Sequence, residues 1–458
     1  MLSKELRQFY NSSPMREGVL CWYPFEQSAN VLDLSRGALP QLLQNRCAHV
    51  FTDETVKNES FDYVVVMDPE DFSVDALKNL RGKLCSRGRL LLAYENPFSL
   101  RYWSGKSCPT TGLPYDSLFG RDGRVSKAEL RIRLHLAGFG GQKWYYPLTD
   151  HWFTREVYSE DYLPNEYMNQ RFKPYIAEDK FLQFDERSLY REVVRGGAFE
   201  FMCGAYLVEA RIYADDAPCT VDYVAVTAHR DTAKRFATVV SNDATARKIP
   251  LHADGVKTVH QIHSNHEELA SLGVNVVKTR LDGNTLVMPR LDLPTLWDYW
   301  ADKLSSGCFD ENEMFLQYDH IAEEIRKTSK SGKCYWELVP ANCFYDERTD
   351  KIVFFDQEFF WGDTSSEVAI ARAILAFNYS DFYRENPRSC ALIEALVSRY
   401  DLAQDWEKLS ALASRINKEV NGTGDRQISL ATQKGLKVIS AKDVERTTHK
   451  NSIAKEAF

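Results

Sequence analysis

The sequence predicts a two-domain chain, with a doubly wound α/β domain over residues 1–212 and, beyond a linker at 213–219, an α+β bilobal domain over 220–458. Three observations carry this. The length of 458 residues exceeds what one hydrophobic core usually organises. The first 212 residues alternate short apolar runs with helical spacing, the rhythm of a layered α/β sheet. The remainder gathers strand-like runs around one long helical pattern and then turns mostly helical.

In the first domain, Val31-Leu32-Asp33-Leu34, Ala48 to Thr52, Tyr63 to Met67 and Arg89 to Ala93 read as buried strands. Asp75 to Leu84 has helical spacing, and Ser86-Arg87-Gly88 supplies a turn back into the sheet. Ser126 with Glu129 forms a capping box for a helix ending at Gly138. Lys143 to Tyr146 reads as a further strand, and Gly204 to Ile212 as an antiparallel edge strand closing the same sheet. Residues 150–200 are left as an aromatic, polar insertion. Trp103, Trp144, Tyr145, Tyr146 and Trp152 suit a sugar-stacking platform or an interface, while core packing accounts for half of them.

The second domain opens with strands at Tyr223 to Thr227, Phe236 to Val240 and Ala246 to Leu251, followed by a helix from Val256 to Leu272. Val274 to Lys278 and Leu286 to Met288 read as strands separated by an Asp-Gly-Asn turn, and Leu293 to Leu304 as an amphipathic helix.

Composition excludes several functions. With 44% hydrophobic and 27% charged residues the chain is an ordinary globular one. A formal charge of −8 argues against a general nucleic-acid or anionic-membrane binder. The ten cysteines include no CxxC pair and read as reduced, buried thiols, which suggests the cytosol. No apolar run approaches the roughly 20 residues of a membrane span, and no secretory signal is expected.

Phosphoryl transfer from a nucleotide needs a carboxylate beside the attacking hydroxyl and oxygen ligands that hold Mg2+ against the phosphates. In Glu337-Leu338-Val339-Pro340-Ala341-Asn342 a carboxylate and an amide stand five positions apart, and Lys351-Ile352-Val353-Phe354-Phe355-Asp356 places a second carboxylate after an apolar run. This segment resembles the aminoglycoside-phosphotransferase and choline-kinase branch of the kinase-like superfamily, whose loop reads D-L-x-P-x-N and whose metal loop reads I-D-x-E. Gln357-Glu358 extends the likeness. The resemblance implies a kinase-like fold for the second domain, ATP as donor, Asn342 and Asp356 as Mg2+ ligands, and Glu337 at the catalytic-base position. Glu337 departs from the family, which places Asp there. One extra methylene displaces the carboxylate by about 1 Å, enough to cost roughly 100-fold in rate. Without the resemblance, the same residues also fit a buried strand-turn-strand in which Asn342 caps a turn and Asp356 meets a backbone amide.

The lysine that meets the phosphates should come from Ala246-Arg247-Lys248-Ile249, where Lys248 is preferred and Arg247, on the opposite face, is the alternative. The expected carboxylate partner of that lysine is Glu267 or Glu268 on the following helix; a solvated helix face explains both glutamates equally well. No G-x-G-x-x-G precedes these strands, so phosphate cover must come from plainer sequence such as Ala228-His229-Arg230-Asp231, and nucleotide affinity is expected to be low. Met288-Pro289-Arg290-Leu291 takes the hinge position by order. His252, His260, His263 and His266 raise zinc as an idea, but steps of three drift around a helix and no cysteine completes the set, so an exposed helix face is expected.

Val19 to Phe25 leading into Val31-Leu32-Asp33, Gly88 to Leu92 followed by Tyr94-Glu95-Asn96-Pro97-Phe98, Tyr102 to Gly105, Ser126 to Leu130 and Tyr158 to Pro164 make the first domain resemble a Rossmann-like class I S-adenosylmethionine-dependent methyltransferase. In style the chain is similar to two-domain bacterial proteins of surface-polysaccharide biosynthesis whose second half is kinase-like. That resemblance implies Asp33 and Asp53, or Glu54 beside it, as the carboxylates facing the cofactor. The first loop, Leu34-Ser35-Arg36-Gly37-Ala38, keeps one glycine where close backbone approach uses several, and Phe61 follows Asp53 by eight positions, too few for the expected helix and strand. S-adenosylmethionine binding is therefore not expected. The sequence reads as an ATP- and Mg2+-dependent phosphotransferase acting on a sugar or glycan hydroxyl, with a noncatalytic methyltransferase-like domain. The alternatives are a double pseudoenzyme that scaffolds a glycosyltransferase, and an active methyltransferase.

Overall fold

The computed structural model describes residues 14–35, 39–52, 60–167, 183–184, 186–362, 365–379, 383 and 386–421. They form two compact units that divide between His229 and Arg230. Among the described residues no helix is long and apolar enough to cross a membrane.

In the first unit, β1 (Asn30–Leu34), β2 (His49–Phe51), β3 (Phe61–Met67) and β4 (Leu84–Glu95) lie in the order β2-β1-β3-β4, all parallel. The apolar run of β3 is buried almost throughout, as a parallel strand covered on both faces must be. Chain direction across the sheet reverses after β2, so β1 and β3 flank a topological switch point. Around it pack α1 (Pro40–Arg46), α2 (Val74–Gly82) and α3 (Lys127–Leu136). Ser126 caps α3 by accepting from the Glu129 amide at 3.2 Å.

Three further strands, β5 (Gly141–Leu148), β6 (Glu156–Ser159) and β7 (Ala205–Arg211), extend the sheet beyond β4, and α4 (Arg187–Arg195) precedes β7. Strand β7 is not the edge strand expected from its alternation. It runs antiparallel between β4 and β5, and all seven of its residues are buried. Strand β8 (Val221–Val226), read from sequence with the second domain, pairs antiparallel with β6 and belongs to this sheet. Trp144, Tyr145 and Tyr146 are core residues of β5, whereas Trp103 is 44% exposed.

The second unit carries an antiparallel sheet in the order β11-β12-β10-β9, from β9 (Phe236–Ser241), β10 (Thr245–Pro250), β11 (Arg280–Asp282) and β12 (Thr285–Pro289). Val274 to Lys278 is not a strand of it; Val276 makes only an isolated bridge to Phe354. The helix α5 (Gly255–Ser271) buries Val259, Ile262 and Leu269 on one stripe, and Val259 and Ile262 share a core with Phe236, Leu286 and Met288. A mostly helical part follows: α6 (Leu296–Ser306), α7 (Glu311–Lys327), α8 (Ser366–Leu375), α9 (Ser389–Arg399) and α10 (Trp406–Asn421). Two small hairpin-like pairs sit within it, β13 (Lys333–Tyr335) with β16 (Phe360–Gly362), and β14 (Cys343–Asp346) with β15 (Lys351–Phe354).

Ser86-Arg87-Gly88 does not turn the chain; it lies inside β4, where the pairing with β3 shifts register between Phe61 and Tyr63. Gly88 is needed at that irregularity because a Cβ there would meet the Phe61 carbonyl oxygen at 2.7 Å. Gly88→Ala should therefore lower the stability of the chain by about 1–3 kcal/mol, read as a fall in the thermal midpoint.

Candidate functional site

Lys248 stands in the middle of β10, its backbone paired with Thr238 on one side and Leu286 on the other. Its side chain is buried against the Phe236 ring, 5.2 Å from the centroid, and its ammonium donates to Asp356 Oδ1 and Glu358 Oε1. Burial alone would drive the proton off, but the two carboxylates outweigh it and hold the pKa above that of an ordinary lysine. Arg247, one residue earlier, points to the other face of the strand. It is tied to Asp243 at 2.5 Å and to Ser241 Oγ at 3.2 Å, so it is not part of this cluster.

The carboxylate expected from α5 is not there. Glu267 is exposed and faces His263 at 3.5 Å, and Glu268 pairs with Lys333 at 2.5 Å. The reason is the phase of the helix, whose inner stripe falls on Asn265 and His266 instead. Asn265 Nδ2 donates to the Gln357 carbonyl at 2.9 Å, and His266 Nε2 accepts from the Gln357 amide at 3.4 Å while Nδ1 meets the Val277 carbonyl at 3.0 Å. His266 is thus a buried clamp and not a member of an exposed face. Burial lowers its pKa to about 4, with Lys248 and His263 adding to the effect and the Val277 carbonyl opposing it.

Glu337, Asn342 and Asp356 converge because the β14–β15 hairpin is continued by one more bond, from the Phe355 amide to the Asn342 carbonyl at 2.9 Å. Asn342 Nδ2 donates to Glu337 Oε2 at 2.7 Å, which fixes the orientation of the amide. Asp356 has φ 57°, a left-handed backbone that Asp tolerates better than most residues. Gln357, fully buried, donates to the Glu337 carbonyl at 3.0 Å and the Phe355 carbonyl at 2.7 Å. Burial pushes the Glu337 carboxyl up; Arg372 and Arg230 pull it down, Glu358 and Asp356 push it further, and it remains above the ordinary glutamate range.

The two carboxylates nearest Lys248 differ in exposure. The Asp356 side chain is 36% exposed and Glu358 only 5%, and Glu358 Oε2 also accepts from Arg230 NH1 at 2.9 Å. Glu358 and Arg230 were absent from the sequence-predicted set. The signal for Glu358 was its place two residues after Asp356, and Arg230 lay in the segment read as phosphate cover.

Among the described residues, no group of three His, Cys, Asp or Glu is placed to hold a metal ion. Asn342 and Asp356 offer one amide oxygen and one carboxylate. That donor set fits Mg2+ shared with phosphate oxygens and water, and not a metal held by protein alone. A carboxylate of raised pKa beside such a pair could accept a hydroxyl proton.

In the first unit, Asp33 closes β1, is 5% exposed and accepts from the Ser35 amide at 2.8 Å. With Thr52, Met67, Asn79 and Lys83 it lines a cavity of about 540 Å³ at the carboxyl ends of β1 and β3. Asp53 and Glu54 lie outside the described residues. Asp33 belongs to the first unit and the Lys248 cluster to the second.

No protein-family model matches the chain. No curated protein sequence matches it. Solved structures similar to it include two variants of the kinase domain of PknI from Mycobacterium tuberculosis. One is 15% identical, with 41% of this chain and 85% of that chain covered at a TM-score of 0.25. The other is 16% identical, with 46% and 95% covered at a TM-score of 0.26. At these scores the likeness adds no weight to the geometry above.

The His266 clamp makes a pH prediction. The unfolded chain binds a proton near the ordinary pKa of 6.5 and the folded chain only near 4, so between these values stability falls as pH falls. In urea unfolding of the full chain, wild type should lose about 2 kcal/mol from this site between pH 7 and pH 5, and His266→Gln should lose that much less.

Proposed function

We propose that the second unit is a kinase-like phosphotransferase domain that binds ATP with Mg2+ and transfers phosphate to a hydroxyl. The observation that supports this most is the joining of Lys248 to Asp356 beside the linked pair Asn342 and Glu337, all within one unit. In this reading Lys248 contacts the phosphates, Asn342 and Asp356 hold Mg2+, and Glu337 orients and deprotonates the acceptor. Mg2+ would supply charge neutralisation of the transferred phosphate. Lys248 already pairs with Asp356, so that pair would have to loosen for Asp356 to hold a metal ion. The acceptor as a sugar or glycan hydroxyl, the setting in surface-polysaccharide biosynthesis and the noncatalytic methyltransferase-like first domain rest on the sequence resemblance.

A second reading, a double pseudoenzyme that scaffolds a glycosyltransferase, draws support from the Glu337 carboxylate being held by Asn342. A third, an active methyltransferase, draws support from the cavity that Asp33 lines. A rise in the thermal midpoint with millimolar S-adenosylmethionine would favour the third; no shift is expected here.

Calorimetry with MgATP on the full chain tests the preferred reading. Asp356→Asn should weaken MgATP binding by about tenfold or more and abolish its Mg2+ dependence. Glu337→Gln should leave that affinity nearly unchanged and reduce phosphate transfer by about 100-fold. If wild type binds no MgATP, or Asp356→Asn changes nothing, the reading falls. If Glu337→Gln transfers phosphate as fast as wild type, Glu337 is not the base.

A further inference from the structure

Gln357 lies between Asp356 and Glu358, the two carboxylates on Lys248, and the roles above give it no part. Its side chain is fully buried, and the amide spans two segments. Nε2 donates to the Glu337 carbonyl at 3.0 Å and to the Phe355 carbonyl at 2.7 Å. Those two acceptors decide which way round the amide lies, because turning it over would set its oxygen against both carbonyls. Oε1 is buried and meets no donor among the described residues. A buried acceptor left unpaired is costly, and a methionine would fill similar space without that cost. The amide is therefore explained by the two bonds that it donates.

The two ends of the Glu337–Asn342 segment are held differently. At the Asn342 end the β14–β15 hairpin makes the connection, continued by the Phe355 amide on the Asn342 carbonyl at 2.9 Å. Glu337 lies outside that hairpin. Its end is joined to the Asp356 loop by the Gln357 amide and by the Trp336 amide, which donates to the Phe359 carbonyl at 3.0 Å. Gln357 is itself gripped from α5: Asn265 Nδ2 donates to its carbonyl at 2.9 Å, and its backbone amide donates to His266 Nε2 at 3.4 Å. Asn265 and His266 are successive buried residues of that helix. A chain of hydrogen bonds thus runs from α5 through Gln357 to the backbone of Glu337.

We infer that Gln357 is a positioning residue whose buried amide ties Glu337 to the loop carrying Asp356, so that the grip of α5 on the loop reaches Glu337. The charges of Lys248 and Glu358 hold the loop to β10, and the Gln357 amide sets where Glu337 stands relative to it. The I-D-x-E pattern leaves this middle position open. That the two groups so joined are a base and a metal ligand rests on the phosphotransferase reading, whereas the bridge rests on the bonds alone.

Backbone hydrogen exchange of the full chain, read by mass spectrometry over residues 334–343 and 353–360, tests the bridge without any ligand. Gln357→Met keeps an unbranched side chain and removes both donated bonds, and exchange over 334–343 should rise about tenfold. His266→Ala in the wild-type background should raise exchange over both segments. In the Gln357→Met background the same substitution should again raise 353–360 but change 334–343 by about twofold or less. The bridge is overturned if Gln357→Met exchanges over 334–343 at the wild-type rate, or if His266→Ala raises that segment by the same factor in both backgrounds. Should Gln357→Met not fold, Gln357→Leu takes its place, and His266→Ala alone also decides, since a rise confined to 353–360 overturns the bridge. Adding MgATP separates this from the nucleotide reading. If MgATP slows exchange in neither segment of wild type while the variants behave as expected, the bridge stands and the phosphotransferase reading fails.

Discussion

The buried ammonium of Lys248 is the contact on which the second unit's site depends. It lies in the interior of an antiparallel sheet and is held charged by Asp356 and Glu358. An ion pair in such a place survives because each partner would be costly to leave alone; breaking one typically costs about 3–5 kcal/mol. The pair fixes more than itself. It draws the Asp356–Glu358 loop against β10, and that loop in turn carries Gln357, whose side chain binds the Glu337 carbonyl and whose backbone is gripped by Asn265 and His266. One cation thereby sets the relation between strand, helix and loop.

The same contact marks where this site departs from the kinase-like arrangement proposed for it. A helix carboxylate partnering the strand lysine would let movement of the helix make or break the pair. Here Glu358 takes that part from the loop, and α5 grips the loop with neutral groups. The site is consequently assembled by the loop's own charges, and the helix supports it through hydrogen bonds. Glu337 marks the other departure: longer than the aspartate of the family that the sequence resembles, it is bonded to Asn342 and raised in pKa by burial.

Much of this was legible in the sequence where a local rule decides the outcome. The spacing from Glu337 to Asn342, and the apolar run before Asp356, make these residues neighbours because a hairpin of fixed register joins them. Strand alternation puts Lys248 and Arg247 on opposite faces, and the structure keeps them there. Helix phase was the weak point. Glu267 and Glu268 looked apt by type, but the inner stripe of α5 passes through Val259, Ile262 and His266, a difference of one residue that turns a side chain by about 100°. His266 was missed for the same reason. In the first unit, β7 reads as an edge from its alternation, yet its Glu209 and Arg211 are buried and paired with each other at 2.8 Å. No local pattern announces that kind of compensation.

A crystal structure of the full chain with Mg2+ and a non-hydrolysable ATP analogue tests the central claim most directly. Mg2+ should then be found beside Asn342 and Asp356, with the Lys248 ammonium moved from Asp356 to a phosphate oxygen while keeping Glu358. A structure in which Lys248 keeps both carboxylates, with the nucleotide elsewhere or absent at saturating concentration, would contradict it.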